Sequence, residues 1–84
     1  MKRHVIKNFE ELMEVFPSLT MAQIINVYMG LQERIARISF LMEVGSERYS
    51  PDILENNWID CMKSDAFLST YLARAYCIQN GFMR

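Results

Sequence analysis

The chain has 84 residues, 51% of them hydrophobic, and a formal net charge of −1. This length allows one domain with a modest core, and the hydrophobic content excludes a disordered chain. Acidic and basic residues are nearly balanced before Thr20, from Thr20 to Tyr49, and after Tyr49, which argues against non-specific binding to nucleic acid or to an anionic membrane.

The N-terminal part of the sequence predicts an arm followed by a short helix. Residues 1–7 are rich in basic side chains, and we expect them to form either a flexible arm or a short extended segment of a single helical domain that spans residues 1–84. Asn8 followed by acidic residues is typical of a helix start. The short helix should end before Pro17, because proline biases Phe16 away from helical geometry.

A long helix is predicted between Thr20 and Gly45. Thr20 and Gln23 have the spacing of a capping box, in which each side chain binds the backbone N–H of the other residue. Gly45 supplies a left-handed stop, and no proline interrupts the segment. About 24 helical residues at 1.5 Å each give a rod of roughly 36 Å, and we take this rod as the centre of the domain.

The apolar residues of the long helix fall into two stripes. The first has the spacing of a heptad seam and holds Ile24, Tyr28, Leu31, Ile35, Ile38 and Met42. The second lies about 120° around the helix and holds Met21, Ile25, Met29, Ala36 and Phe40. With Val27 on the flank, the apolar arc covers roughly 220°, about twice that of an ordinary surface helix.

Two interpretations of this wide arc are open. Either the other helices of a monomer bury both stripes, or one stripe contacts a second chain. Because three other helices cannot easily cover so wide an arc, and a chain of this size buries a modest fraction of its surface, we favour a homodimer across a two-fold axis with antiparallel long helices. The heptad seam should face the home domain. The interaction surface should comprise Ile25, Met29 and Phe40, with Arg34 and Arg37 outside its core.

The C-terminal half predicts two further helices. In Ser50-Pro51-Asp52, the serine can cap a helix, the proline suits the first helical position, and the aspartate interacts favourably with the helix dipole. The helix should run to about residue 62 or 63, and Ser64 should cap a last helix from Asp65 to Gln79. A seam of small residues on that helix, at Ala66, Thr70, Ala73 and Cys77, suggests close approach by another helix. The expected fold is therefore all-α, with four helices: short, long, medium and medium.

Residues for catalysis or metal binding are scarce. The chain has one histidine and two well-separated cysteines, and its three glycines are isolated, so neither a metal site nor a phosphate-binding loop is predicted. The scattered acids are better explained as solvated helix faces than as an acid–base pair. We therefore expect no enzyme and no cofactor. Cys61 and Cys77 should be reduced, slowly reacting structural thiols in a cytoplasmic protein, since no leader or membrane span is apparent.

These observations predict a protein-interaction module. By analogy, small helical proteins without catalytic motifs are often regulators or inhibitors, such as those encoded by bacteria or phages, which bind a partner protein. The alternative is a small nucleic-acid-binding regulator resembling a helix-turn-helix, with Gln23, Asn26 and Arg34 on one side of the long helix. The small number of phosphate-binding lysines and arginines makes this alternative weaker.

Overall fold

The computed structural model describes residues 6–79 and residue 81. It contains three α-helices, α1 (Phe9–Val15), α2 (Met21–Val44) and α3 (Pro51–Gln79), and a 3-10 turn at Phe16–Ser18. The two long helices form an antiparallel hairpin, and α1 packs on α3. The all-α class is thus confirmed, but the prediction of four helices is wrong.

All three helix starts use the predicted caps. The Asn8 side chain accepts a hydrogen bond from the N–H three residues ahead at 2.8 Å. The Thr20 hydroxyl accepts from the Gln23 N–H at 3.2 Å, and the Gln23 side chain accepts from the Thr20 N–H at 2.8 Å. Ser50 caps α3 in the same way at 3.3 Å. These local contacts satisfy N–H groups that the first helical turn leaves without an internal partner.

The predicted break at residues 63–65 is absent, and α3 is one continuous helix. Serine and aspartate favour caps, but either is tolerated inside a helix at a cost of roughly 0.5 kcal/mol, and neither proline nor glycine is present here. Ser64 is buried, and Asp65 accepts a hydrogen bond from the Gln32 side chain of α2. The buried side of α3 therefore runs through the segment without a change of direction, at Leu54, Cys61, Ser64 and Leu68.

The corner between α1 and α2 differs from expectation at Phe16. Its backbone is helical, with φ −52° and ψ −45°, although Pro17 follows. The Phe16 ring packs edge-on against Phe67 and Tyr71 of α3, with centroid distances of 4.9 and 5.0 Å. Aromatic pairs of this geometry contribute about 0.5–1.5 kcal/mol beyond the area they bury, which helps to offset the backbone preference imposed by proline.

Gly45 ends α2 as predicted, but with a different backbone conformation. Its φ of 84° is positive, whereas its ψ of 158° is extended rather than left-handed helical. Glycine is nearly the only residue that adopts this combination without strain. The chain therefore leaves α2 sharply and reaches the start of α3 within a short loop.

Part of the predicted N-terminal arm is anchored. Ile6 is buried in the core, and the Arg34 guanidinium donates hydrogen bonds to the carbonyls of Ile6 at 3.0 Å and Lys7 at 3.1 Å. The Asp60 carboxylate accepts the Phe9 N–H at 3.1 Å. Residues 1–5 of the predicted arm lie outside the described residues.

Candidate functional site

The heptad seam of α2 faces the interior of the domain. Ile24 and Leu31 are buried, and Tyr28, Ile35 and Ile38 pack against the core that they form with α1 and α3. Met42, at the C-terminal end of the seam, is largely exposed. Of the two stripes, this is therefore the one that holds the hairpin together.

The second stripe is exposed along its whole length. Met29 is 63% exposed and Phe40 60%, while Met21 and Ile25 are each 44% exposed. Val44, one helical turn beyond Phe40, continues the row and is 59% exposed. The sequence prediction omitted Val44, although its spacing of four residues from Phe40 was a usable signal. We call this row the open stripe: Met21, Ile25, Met29, Ala36, Phe40 and Val44.

The open stripe lies on one broad side of the hairpin. The hydrogen bond between Gln32 and Asp65 marks the edge where α2 meets α3. At 100° per residue, the residues of the open stripe lie next to Gln32 around the helix, on the side that faces away from the core. On α3, the half-buried Trp58 and Met62 lie next to Asp65, on the same side of the hairpin as the open stripe. Helix α1 packs on the opposite side of α3. The apolar surface thus extends from α2 towards α3, which only the hairpin geometry could show.

The two arginines assigned to the site are in different places. Arg37 borders the open stripe and forms the predicted ion pair with Glu33, with 3.6 Å between Nη2 and Oε1 and both side chains exposed. Arg34 lies on another side of α2, where it binds the carbonyls of Ile6 and Lys7. The structure therefore brings Ile25, Met29, Phe40 and Arg37 together and leaves Arg34 apart from them.

The two cysteines are free thiols in unequal environments. Cys61 is buried and Cys77 half-buried. Burial raises the pKa of the Cys61 thiol above its ordinary 9.0, opposed by the positive charge of Arg34 and assisted by the negative charge of Asp60. A thiol that resists ionisation is a poor nucleophile and a poor metal ligand at neutral pH. This environment suits a packing role for Cys61.

Among the described residues, no other helix covers the predicted seam of small residues on α3. Ala66, Thr70 and Ala73 are exposed, and a shallow groove of about 400 Å³ is lined by Ala66, Phe67, Thr70, Tyr71 and Arg74. The expectation of close helix approach at this seam is therefore wrong for the part of the chain that the structure describes. Because α3 is one long helix, the hairpin partner α2 packs along its other side.

Within the described residues, no group of His, Cys, Asp or Glu side chains is arranged to hold a metal ion. Across the same part of the chain, no helix has the length and apolarity that crossing a membrane requires. Two of the three polar residues considered for base contacts are engaged internally: Gln23 in the capping box and Arg34 with backbone carbonyls. Neither engagement favours the nucleic-acid alternative.

Comparison with known proteins returned no match among family models, curated proteins or solved structures. The exposed surface and the chemistry of its residues are therefore the basis for inferring function.

Proposed function

We propose that this chain is a non-enzymatic protein-interaction module, a small regulator or inhibitor that binds another protein and self-associates through α2. The observation that carries the proposal is the open stripe, whose five large apolar side chains are 44–63% exposed in one row along a 24-residue helix. Scattered exposed apolar residues are common, whereas a contiguous row of them is typical of an interaction surface.

The dimensions of the molecule support this proposal. Its radius of gyration is 14.8 Å, compared with about 12 Å for a compact domain of this length. Its accessible surface of 6761 Å² exceeds the roughly 5,200 Å² typical of a monomer of its mass. An elongated hairpin with one short covering helix leaves α2 more exposed than a bundle would, and a second chain would cover that surface.

One border of the open stripe carries a compensated pair of charges. Glu33 and Arg37 form an ion pair beside it, so this edge carries no net charge. At about 25 cal/mol per Å², covering roughly 100 Å² of an apolar side chain contributes on the order of 2.5 kcal/mol. The most exposed side chains, Met29 and Phe40, should therefore contribute most to binding.

The double substitution Met29→Glu and Phe40→Glu tests the proposal. We expect the wild-type chain to sediment as a dimer at high micromolar concentration and the double variant as a monomer with unchanged helical circular dichroism. The physical reason is that an unpaired charge buried in an interface costs several kcal/mol, whereas the same charge on an exposed helix side costs little.

A matched control is the double variant Ile59→Glu and Ile78→Glu. Both isoleucines are exposed on α3 and lie outside the open stripe, so this variant has the same added charge and should remain a dimer. A wild-type chain that is monomeric at high micromolar concentration would contradict self-association. Loss of helical signal in the Met29/Phe40 variant would instead show that the open stripe contributes to the core.

A further inference from the structure

The sequence predicts a two-fold dimer with antiparallel long helices but leaves their register undefined, and the open stripe specifies one. We infer that a second copy packs antiparallel on the open stripe in a single register. In that register Met29 faces the partner's Ala36, Ile25 faces the partner's Phe40, and Met21 faces the partner's Val44. This inference rests on the proposed function, since it names the partner as another copy of the chain.

The spacing of the open stripe carries the inference. Along α2, its six residues are separated by 4, 4, 7, 4 and 4 positions, and this series is the same when read in either direction. In a two-fold interface between antiparallel helices, residue i meets residue j of the partner and residue j meets residue i, so this property lets every member of the open stripe face another member. The two polar residues at the centre of the series are Gln32 and Glu33.

The sizes of the facing side chains support the antiparallel arrangement. Met29, which projects far into solvent, would meet the small Ala36 of the partner subunit, so that a large side chain enters the space left by a small one. A parallel pair would instead place Met29 against its own copy and leave a gap where two Ala36 side chains meet. Antiparallel helix dipoles also attract each other weakly, whereas parallel dipoles repel.

The area available fits a weak, specific dimer. The five large side chains are 44–63% exposed, roughly 100 Å² each, so two copies that covered them fully would together bury about 1,000 Å², near the lower limit for a specific interface. Association should therefore be detected at micromolar rather than nanomolar concentration. The half-buried Trp58, on the same side of the hairpin, provides a fluorescence signal that should change with concentration.

Disulfide trapping distinguishes the registers. Met29→Cys and Ala36→Cys are made separately in a Cys77→Ala background, where the remaining native thiol, Cys61, is buried. When the two variants are mixed and oxidised, we expect the mixed disulfide to form at least several-fold faster than either homodimer. In the antiparallel register the two copies of position 29 lie about 10 Å apart along the helix axis, which exceeds the reach of a disulfide.

The outcomes separate this inference from the proposed function. The Cys77→Ala background alone should give no covalent dimer. If the wild-type chain is a dimer by sedimentation but Met29→Cys crosslinks to itself, or if the mixture gives no mixed disulfide, the antiparallel register is wrong while self-association stands. If sedimentation gives a monomer at high micromolar concentration, both ideas fail.

Discussion

Arg34 and Asp60 each form hydrogen bonds to the backbone of the segment that leads into α1. The Arg34 guanidinium donates to the carbonyls of Ile6 and Lys7, and the Asp60 carboxylate accepts the Phe9 N–H. Hydrogen bonds to charged groups are stronger than neutral ones, at about 1.5–3 kcal/mol when well placed. An arginine assigned from sequence to a binding surface thus stabilises the home domain, because its position on the helix is opposite the stripe.

Thiol labelling tests the roles of the cysteines. In a Cys77→Ala variant, Cys61 should react with a thiol reagent far more slowly in the native state than in denaturant, because it is buried and its raised pKa lowers the fraction of reactive thiolate at any pH below that value. In a Cys61→Ala variant, Cys77 should also react more slowly in the native state than in denaturant, but faster than Cys61 does because it is only half-buried. Equal native rates for the two thiols would contradict the packing role of Cys61.

At the scale of elements, the main finding is that α3 is one helix of 29 residues. Ser50 and Ser64 have similar sequence surroundings, each followed by an aspartate within two positions, yet only Ser50 is a cap. The Ser64 side chain lies on the buried side of α3 between Cys61 and Leu68. A small side chain at this place fits where α2 packs closely along α3.

The substitutions Ser50→Ala and Ser64→Ala form a matched pair. Removing the Ser50 cap should lower the free energy of unfolding by about 1 kcal/mol. Ser64→Ala should leave it unchanged or raise it by up to about 0.5 kcal/mol, because alanine is the better residue inside a helix.

Both variants should be compared by urea denaturation at one protein concentration, since self-association makes stability depend on concentration. A loss of about 1 kcal/mol for Ser64→Ala, equal to that for a true cap, would contradict the continuous helix.

At the scale of the whole molecule, the described residues form an elongated body of 49 × 29 × 21 Å. The core is small, with six apolar residues in one buried cluster: Ile6, Leu12, Ile24, Leu31, Cys61 and Leu68. A single short helix covers one side of the α2–α3 hairpin, and the other side is left to solvent. The open stripe is therefore exposed because none of the described helices covers that side of the hairpin.

Nucleic-acid binding should be negligible at physiological salt. The net charge is −1, basic and acidic residues are balanced along the chain, and two of the three candidate polar contacts are already engaged within the domain. A gel-shift assay with duplex DNA and with single-stranded RNA measures this directly. A salt-sensitive shift at low micromolar protein would revive the nucleic-acid alternative, because phosphate binding releases counterions.

Helix starts and ends were largely determined by the sequence itself. The caps at Asn8, Thr20 and Ser50 and the stop at Gly45 depend on atoms within a few residues of one another, so the local pattern was sufficient to predict them. The two stripes of α2 were equally readable, because helical periodicity alone fixes which residues share a side. Helical periodicity did not determine which of the two stripes is buried in the core.

The remaining features were decided only by tertiary structure. Ser64 and Asp65 lie within a continuous helix in which Ser64 is buried and Asp65 bonds to Gln32 of α2, and Phe16 is helical while its ring packs on α3. Arg34 turns inward because carbonyls of Ile6 and Lys7 are within its reach. For Ser64 and Asp65 the local preference against a helix interior is only about 1 kcal/mol or less, so a contact between residues distant in sequence is enough to decide the outcome.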